Sequence, residues 1–96
     1  MRFGGFIFKK WNTPEEWAQA AKDAGYSAVY FPVDHTAPQS IIDGYKNAAA
    51  ENDLVICEIG VWNNTLDRDA AKREANVTRA IHQLELADYV GANCCV

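Results

Sequence analysis

The stretch VICEIGVWNN, residues 55–64, sets a carboxylate, an indole and two amides into a run otherwise apolar enough to be a buried strand. Glu58 can take up a proton or accept hydrogen bonds, Trp62 offers a flat apolar face, and Asn63 and Asn64 both donate and accept. A polar group inside such a strand must be satisfied, so Glu58 has two readings: a direct ligand contact, or a buried carboxylate held by backbone or by an arginine. Asp34 and His35, in the loop DHTAP, form a second candidate. An imidazole beside a carboxylate suits a substrate or a metal, and equally an exposed loop pair. Lys10 and Trp11 form a third, where Trp11 either joins a site or staples the helix that follows it. His82 lies off the apolar stripe of a long helical pattern and reads as solvated or as part of an interface. Asp69 and Arg73, four apart, read as a helix pair.

The elements that must carry these residues are legible in the periodicity. RFGGFIF, residues 2–8, suits a strand by its aromatics and isoleucine. Thr13, Pro14 and Glu16 then announce a helix: a hydroxyl cap, a proline in the first turn, and the acid of a capping box. Its stripe is Trp17, Ala20, Ala21 and Ala24, and Gly25 is its left-handed terminator. SAVYFPV, residues 27–33, is a second strand broken by Pro32. QSIIDGYKNAAAEN repeats the helical spacing at Ile41, Tyr45, Ala48 and Ala49. LVICEIGVW is the third strand. After the polar loop NNTLD, Asp67 can cap a third helix whose stripe is Val77, Ala80, Ile81, Leu84 and Ala87 and which Gly91 ends. NCCV opens a fourth strand.

Helices alternating with apolar strands predict an α/β fold with right-handed crossovers and a parallel sheet. Helices cover one face of such a sheet, and something else has to cover the other. A doubly wound sheet would carry helices on both sides, but its glycine-rich GxGxxG turn after the first strand is missing.

A length of 96 residues holds a single domain, and 49% hydrophobic residues supply a modest core. The net charge of -4, with Lys and Arg scattered, argues against a nucleic-acid or anionic-membrane surface and leaves small neutral or polar ligands open. Cys57, Cys94 and Cys95 are odd in number and lack CxxC or Cys/His ligand spacing. They are expected to be reduced core thiols of a cytoplasmic protein, in which the Asn63 and Asn76 sequons carry no meaning. No apolar run reaches transmembrane length, and the first one is too short for a signal-peptide core.

From Cys57 to Val96 the chain resembles the xylose-isomerase-like TIM-barrel family of sugar-phosphate isomerases and epimerases. The similarity rests on EIGVW running into an N-x-L loop (Asn64, Leu66), on Asp69 and Arg73 four apart, and on QLELADYVGA before a cysteine- and valine-rich strand. AGYSAVYFP is compatible with the family. The resemblance implies that residues 1–96 are one partial TIM-barrel domain, the N-terminal (βα)3β portion, against eight units and about 250 residues in a whole barrel. It implies a sugar or sugar-phosphate substrate held at the strand C-terminal ends, with Trp62, Asn63, Glu58, His35 and Trp11 facing it. The aromatic face and amides would meet the sugar's apolar face and hydroxyls. It also implies a divalent metal (Mn, Mg, Co or Zn) whose ligands come from later strands, and the rest of a barrel or a second copy of the chain to close the sheet. Two other readings stay open: a non-enzymatic half barrel that self-associates or docks on a partner, and a zinc-dependent apurinic endonuclease using His35.

Overall fold

The computed structural model describes all of residues 1–96. The elements alternate as expected: β1 (Gly4–Gly5), α1 (Pro14–Asp23), β2 (Ala28–Tyr30), α2 (Gln39–Glu51), β3 (Val55–Ile59), α3 (Ala70–Val90) and β4 (Cys94–Cys95). The strands form one all-parallel sheet in the order β1-β2-β3-β4. All three helices feed a single cluster with β2 and β3, built from Trp17, Val29, Ile42, Tyr45, Ile56, Ile59, Leu86 and Val90 among others. One face of the sheet is therefore packed and the other is open. No helix is long and apolar enough to cross a membrane.

The α1 start follows its sequence signals. Thr13 Oγ1 accepts from the Glu16 N–H at 3.1 Å, and the Glu16 carboxylate accepts from the Asn12 N–H, one residue further back than a capping box would place it. Gly25 and Gly91 both take positive φ beyond their helices, at 78° and 76°. Strand lengths differ from expectation: β1 pairs only at Gly4 and Gly5, and β2 stops before Pro32, whose nitrogen cannot join a ladder. Gly4 is required where it stands, because a Cβ there would sit 2.2 Å from the Ala28 carbonyl oxygen.

Three helix-face expectations are corrected. In α2 the buried isoleucine is Ile42, and Ile41 is exposed, because Ile42 is the one in phase with Tyr45, Ala48 and Ala49 toward the sheet. In α1, Ala18 is buried and Ala24 exposed. In α3 the buried face is Gln83, Leu86, Ala87 and Val90, whereas Val77, Ile81 and Leu84 face outward. Only the last turns of α3 lie on the sheet, so its first half has no packing partner to select its apolar side. Its cap is Asp69, which accepts from the Lys72 N–H, while Asp67 accepts from the Asp69 N–H. Arg73 reaches the Asp67 carbonyl oxygen, not Asp69.

β2 and β3 are out of simple register. Val29 pairs with Ile56 and Tyr30 with Glu58, leaving Cys57 as the extra residue of a bulge. Its thiol donates to the Val29 carbonyl at 3.2 Å. The cysteines are less buried than expected: Cys94 is exposed and Cys57 half-buried, because the helices leave one face of the sheet uncovered, and only Cys95, itself half-buried, packs against the core.

Candidate functional site at the carboxyl end of the sheet

The bulge at Cys57 determines where Glu58 points. Ile56 and Ile59 both reach the helix-side core although they are three apart, so Glu58 takes the opposite face, in line with Tyr30 on β2 and Cys94 on β4. The row is open to solvent, with Tyr30 44% exposed. Glu58 is half-buried, and no arginine pairs with it. It is thus an accessible carboxylate on the uncovered face.

Trp62 and Asn63 are set by other forces. β3 ends at Ile59, so strand alternation does not carry Trp62 into phase with Glu58. The indole instead folds over Gly60, where an added Cβ would meet its Nε1 at 2.2 Å, and it stays 78% exposed. Asn63 Nδ2 donates to the Asn76 carbonyl, and Asn76 Nδ2 donates to the Asn64 carbonyl, so paired amides fasten the β3–α3 loop to α3. Asn63 Oδ1 is buried without a partner. The Asn63 side chain is a loop fastener in this conformation.

Trp11 is tied to the core. Its Nε1 donates to Tyr45 Oη at 3.1 Å, on α2 rather than on the helix it precedes, while part of its ring still lines a cleft of about 340 Å³ with Phe6, Tyr30 and Phe31. A neighbouring cleft of about 280 Å³ runs from Phe31 and Pro32 to Trp62, Arg79 and Gln83. The two share Phe31 and Pro32, so a trough with an indole toward each end crosses the carboxyl ends of β1, β2 and β3.

His35 lies elsewhere than expected. Its backbone N–H and its Nδ1 both meet Gln83 Oε1, at 2.8 and 2.9 Å, and its ring sits 5.1 Å from that of His82. It faces α3 in the groove between α2 and α3, because Gln83, 2% exposed, draws the loop onto the helix. Gln83 Nε2 donates to the Gly60 carbonyl at 2.9 Å, so one buried amide joins the loops that follow β2 and β3. One turn earlier, Arg79 pairs with Asp34 at 3.2 Å. The Thr36 hydroxyl and N–H, and then Arg79, hold the Asp34 carboxyl below its ordinary value. Gln83 and Arg79 were not candidates in the sequence; the available signal was a polar residue at the 83, 86, 87, 90 spacing of the buried helix face.

No three His, Cys, Asp or Glu side chains converge to hold a metal ion. Glu58 stands without a second carboxylate or imidazole, so these residues do not by themselves fit the divalent metal that the family resemblance implies.

Fold and clefts together define an α/β protein with a sequentially ordered parallel sheet, open on one face and troughed at its carboxyl end. Comparison with protein-family models, curated proteins and solved structures found no match to this chain.

Proposed function

We propose that this chain forms the first (βα)3β part of a (βα)8 barrel whose mouth binds a sugar or sugar phosphate, as in a metal-dependent isomerase or epimerase. The observation that carries the reading is the strand order: four parallel strands in strict chain order, with every helix packed into one cluster, is the arrangement of a barrel wall. Doubly wound sheets reverse their order at a switch point, and this one does not. In a barrel the uncovered face becomes the interior and the carboxyl-end trough becomes part of the mouth. Trp62 then offers a stacking face to a sugar ring, Glu58 an interior carboxylate, and Phe31 and Pro32 the floor between the indoles. In this reading the metal is held by later strands, and the present residues bind and orient.

The test is the protein at its native mass, assayed for aldose–ketose interconversion and epimerisation across pentoses, hexoses and their phosphates with Mn2+, Mg2+, Co2+ or Zn2+ present. Activity abolished by a chelator and lowered about tenfold or more in kcat/KM by Trp62→Ala is expected, such a loss being worth ~1.4 kcal/mol of binding. No interconversion of any of these sugars overturns the reading.

A second reading, a half barrel closed by a second copy of the chain, is favoured by surface area. The chain exposes 6251 Å², against about 5500 Å² for a compact monomer of this mass.

A further inference from the structure

We infer that His35 and His82 form a binding site for a first-row transition-metal cation of the Zn2+, Ni2+ or Cu2+ type, in the groove between α2 and α3. This site is separate from the metal that the barrel reading assigns to later strands, since both imidazoles lie on the helix side of the molecule.

Three observations carry it. The ring centroids are 5.1 Å apart with planes inclined at 51°. Stacked imidazoles would be closer and nearly parallel; two imidazoles radiating from one tetrahedral cation, with metal–nitrogen bonds of about 2.0–2.1 Å, have centroids about 5.2 Å apart. The separation thus admits a shared ion, as it admits a tilted ring contact.

The second observation is the support behind His35. Gln83 Nε2 donates to the Gly60 carbonyl, which orients the amide and leaves Oε1 as a pure acceptor. Nδ1 of His35 must then carry the proton in the 2.9 Å bond to that oxygen, and Nε2 keeps its lone pair. Metal-ligating histidines characteristically have this arrangement, in which a buried acceptor fixes the tautomer from behind. Gln83 is 2% exposed and bonded at both ends, so the orientation is built into the packing.

The third is the surrounding charge. Glu85 lines the same groove as both histidines, one helical turn beyond His82, and Glu74 lines the groove on the other side. Arg79, the nearby cation, is neutralised by Asp34 at 3.2 Å. Because no third side chain already converges, water or a re-oriented Glu85 completes the coordination shell. Bound metal would pin the β2–α2 loop to α3 beside the carboxyl-end trough.

The test uses the full chain, fully reduced. Co2+ is titrated by visible absorption and Zn2+ by calorimetry, and melting is followed with and without Zn2+, for the natural sequence and for His82→Ala and His35→Ala. His82 is solvent-exposed, so His82→Ala keeps the fold. One equivalent of Co2+ giving a tetrahedral spectrum without a thiolate charge-transfer band is expected. Affinity should fall tenfold or more in each variant, and Zn2+ should raise the melting temperature of the natural chain alone. Three results each overturn the site: no saturable uptake, an affinity in either variant unchanged from that of the natural chain, or a thiolate band that moves the ion to the cysteines.

Discussion

At the residue scale, Gln83 is the side chain on which most depends. It is nearly inaccessible and joins His35 to Gly60, so truncation leaves a half-buried N–H and a half-buried carbonyl without partners. Each such orphan costs about 1–3 kcal/mol, and Gln83→Ala should lower the unfolding free energy by roughly 2–4 kcal/mol in urea denaturation. A loss under about 0.5 kcal/mol would mean that the loops are held by something else. Asp34 makes a pH prediction. Its folded-state pKa lies below the ordinary 3.8, through the Thr36 hydroxyl first and Arg79 last. A depressed carboxylate stabilises the fold above its unfolded-state pKa, and that contribution fades as pH falls through the folded value. Stability should therefore decline below about pH 4, and less steeply in Asp34→Asn; identical acid limbs would refute the coupling. The contribution is small because the side chain is 37% exposed and water screens it. Among the thiols, burial raises the Cys57 pKa, and Cys94 is exposed. Iodoacetamide at neutral pH should label Cys94 first and Cys57 more slowly, as peptide mapping by mass spectrometry would show.

At the scale of elements, the apolar stripes were readable as helices, but their sheet-facing side was not always the one the spacing suggested. Ile41 and Ile42 have the same chemistry, and only the direction of approach to β2 and β3 separates them. Ile42→Ala should cost about 2–4 kcal/mol and Ile41→Ala under about 0.5 kcal/mol. Equal losses in thermal melts would mean that α2 is rotated from its described position. Caps behaved differently, since a hydroxyl three residues from an N–H needs no distant partner. Thr13→Ala should cost about 1 kcal/mol by loss of the 3.1 Å bond to the Glu16 N–H. Strand ends were the least legible part. The Cys57 bulge that turns Glu58 to the open face depends on how β3 meets β2, and nothing local in VICEI specifies an extra residue there.

At the scale of the whole molecule, the open face dominates. The radius of gyration is 14.4 Å, against about 12.5 Å for a compact domain of this length. Phe6 and Phe8 stack edge to face at 5.1 Å while exposed at 62% and 87%, in the region where β1 runs out. Two adjacent solvated phenylalanines beside an uncovered sheet make an adhesive surface. The 96-residue chain should self-associate at micromolar concentration, and Phe8→Glu should shift it toward monomer by light scattering with under about 0.5 kcal/mol change in stability. A monodisperse monomer with the natural sequence would show that the face tolerates water.

The sequence by itself determined the alternation of strand and helix, the α1 cap, the glycine terminators and the parallel sheet, because each depends on neighbours within a few residues or on the period of the apolar pattern. It also marked Glu58 and Trp62 as residues out of keeping with a buried strand. Only the tertiary structure decided that Trp62 lies over Gly60, that Trp11 is bound to Tyr45, and that His35 turns toward His82. The Trp11 and His35 placements come from contacts between segments 23 to 48 residues apart, above all the Gln83 amide, and that of Trp62 from the turn in which β3 ends. Such contacts depend on the distances and angles between packed elements, which local spacing does not encode.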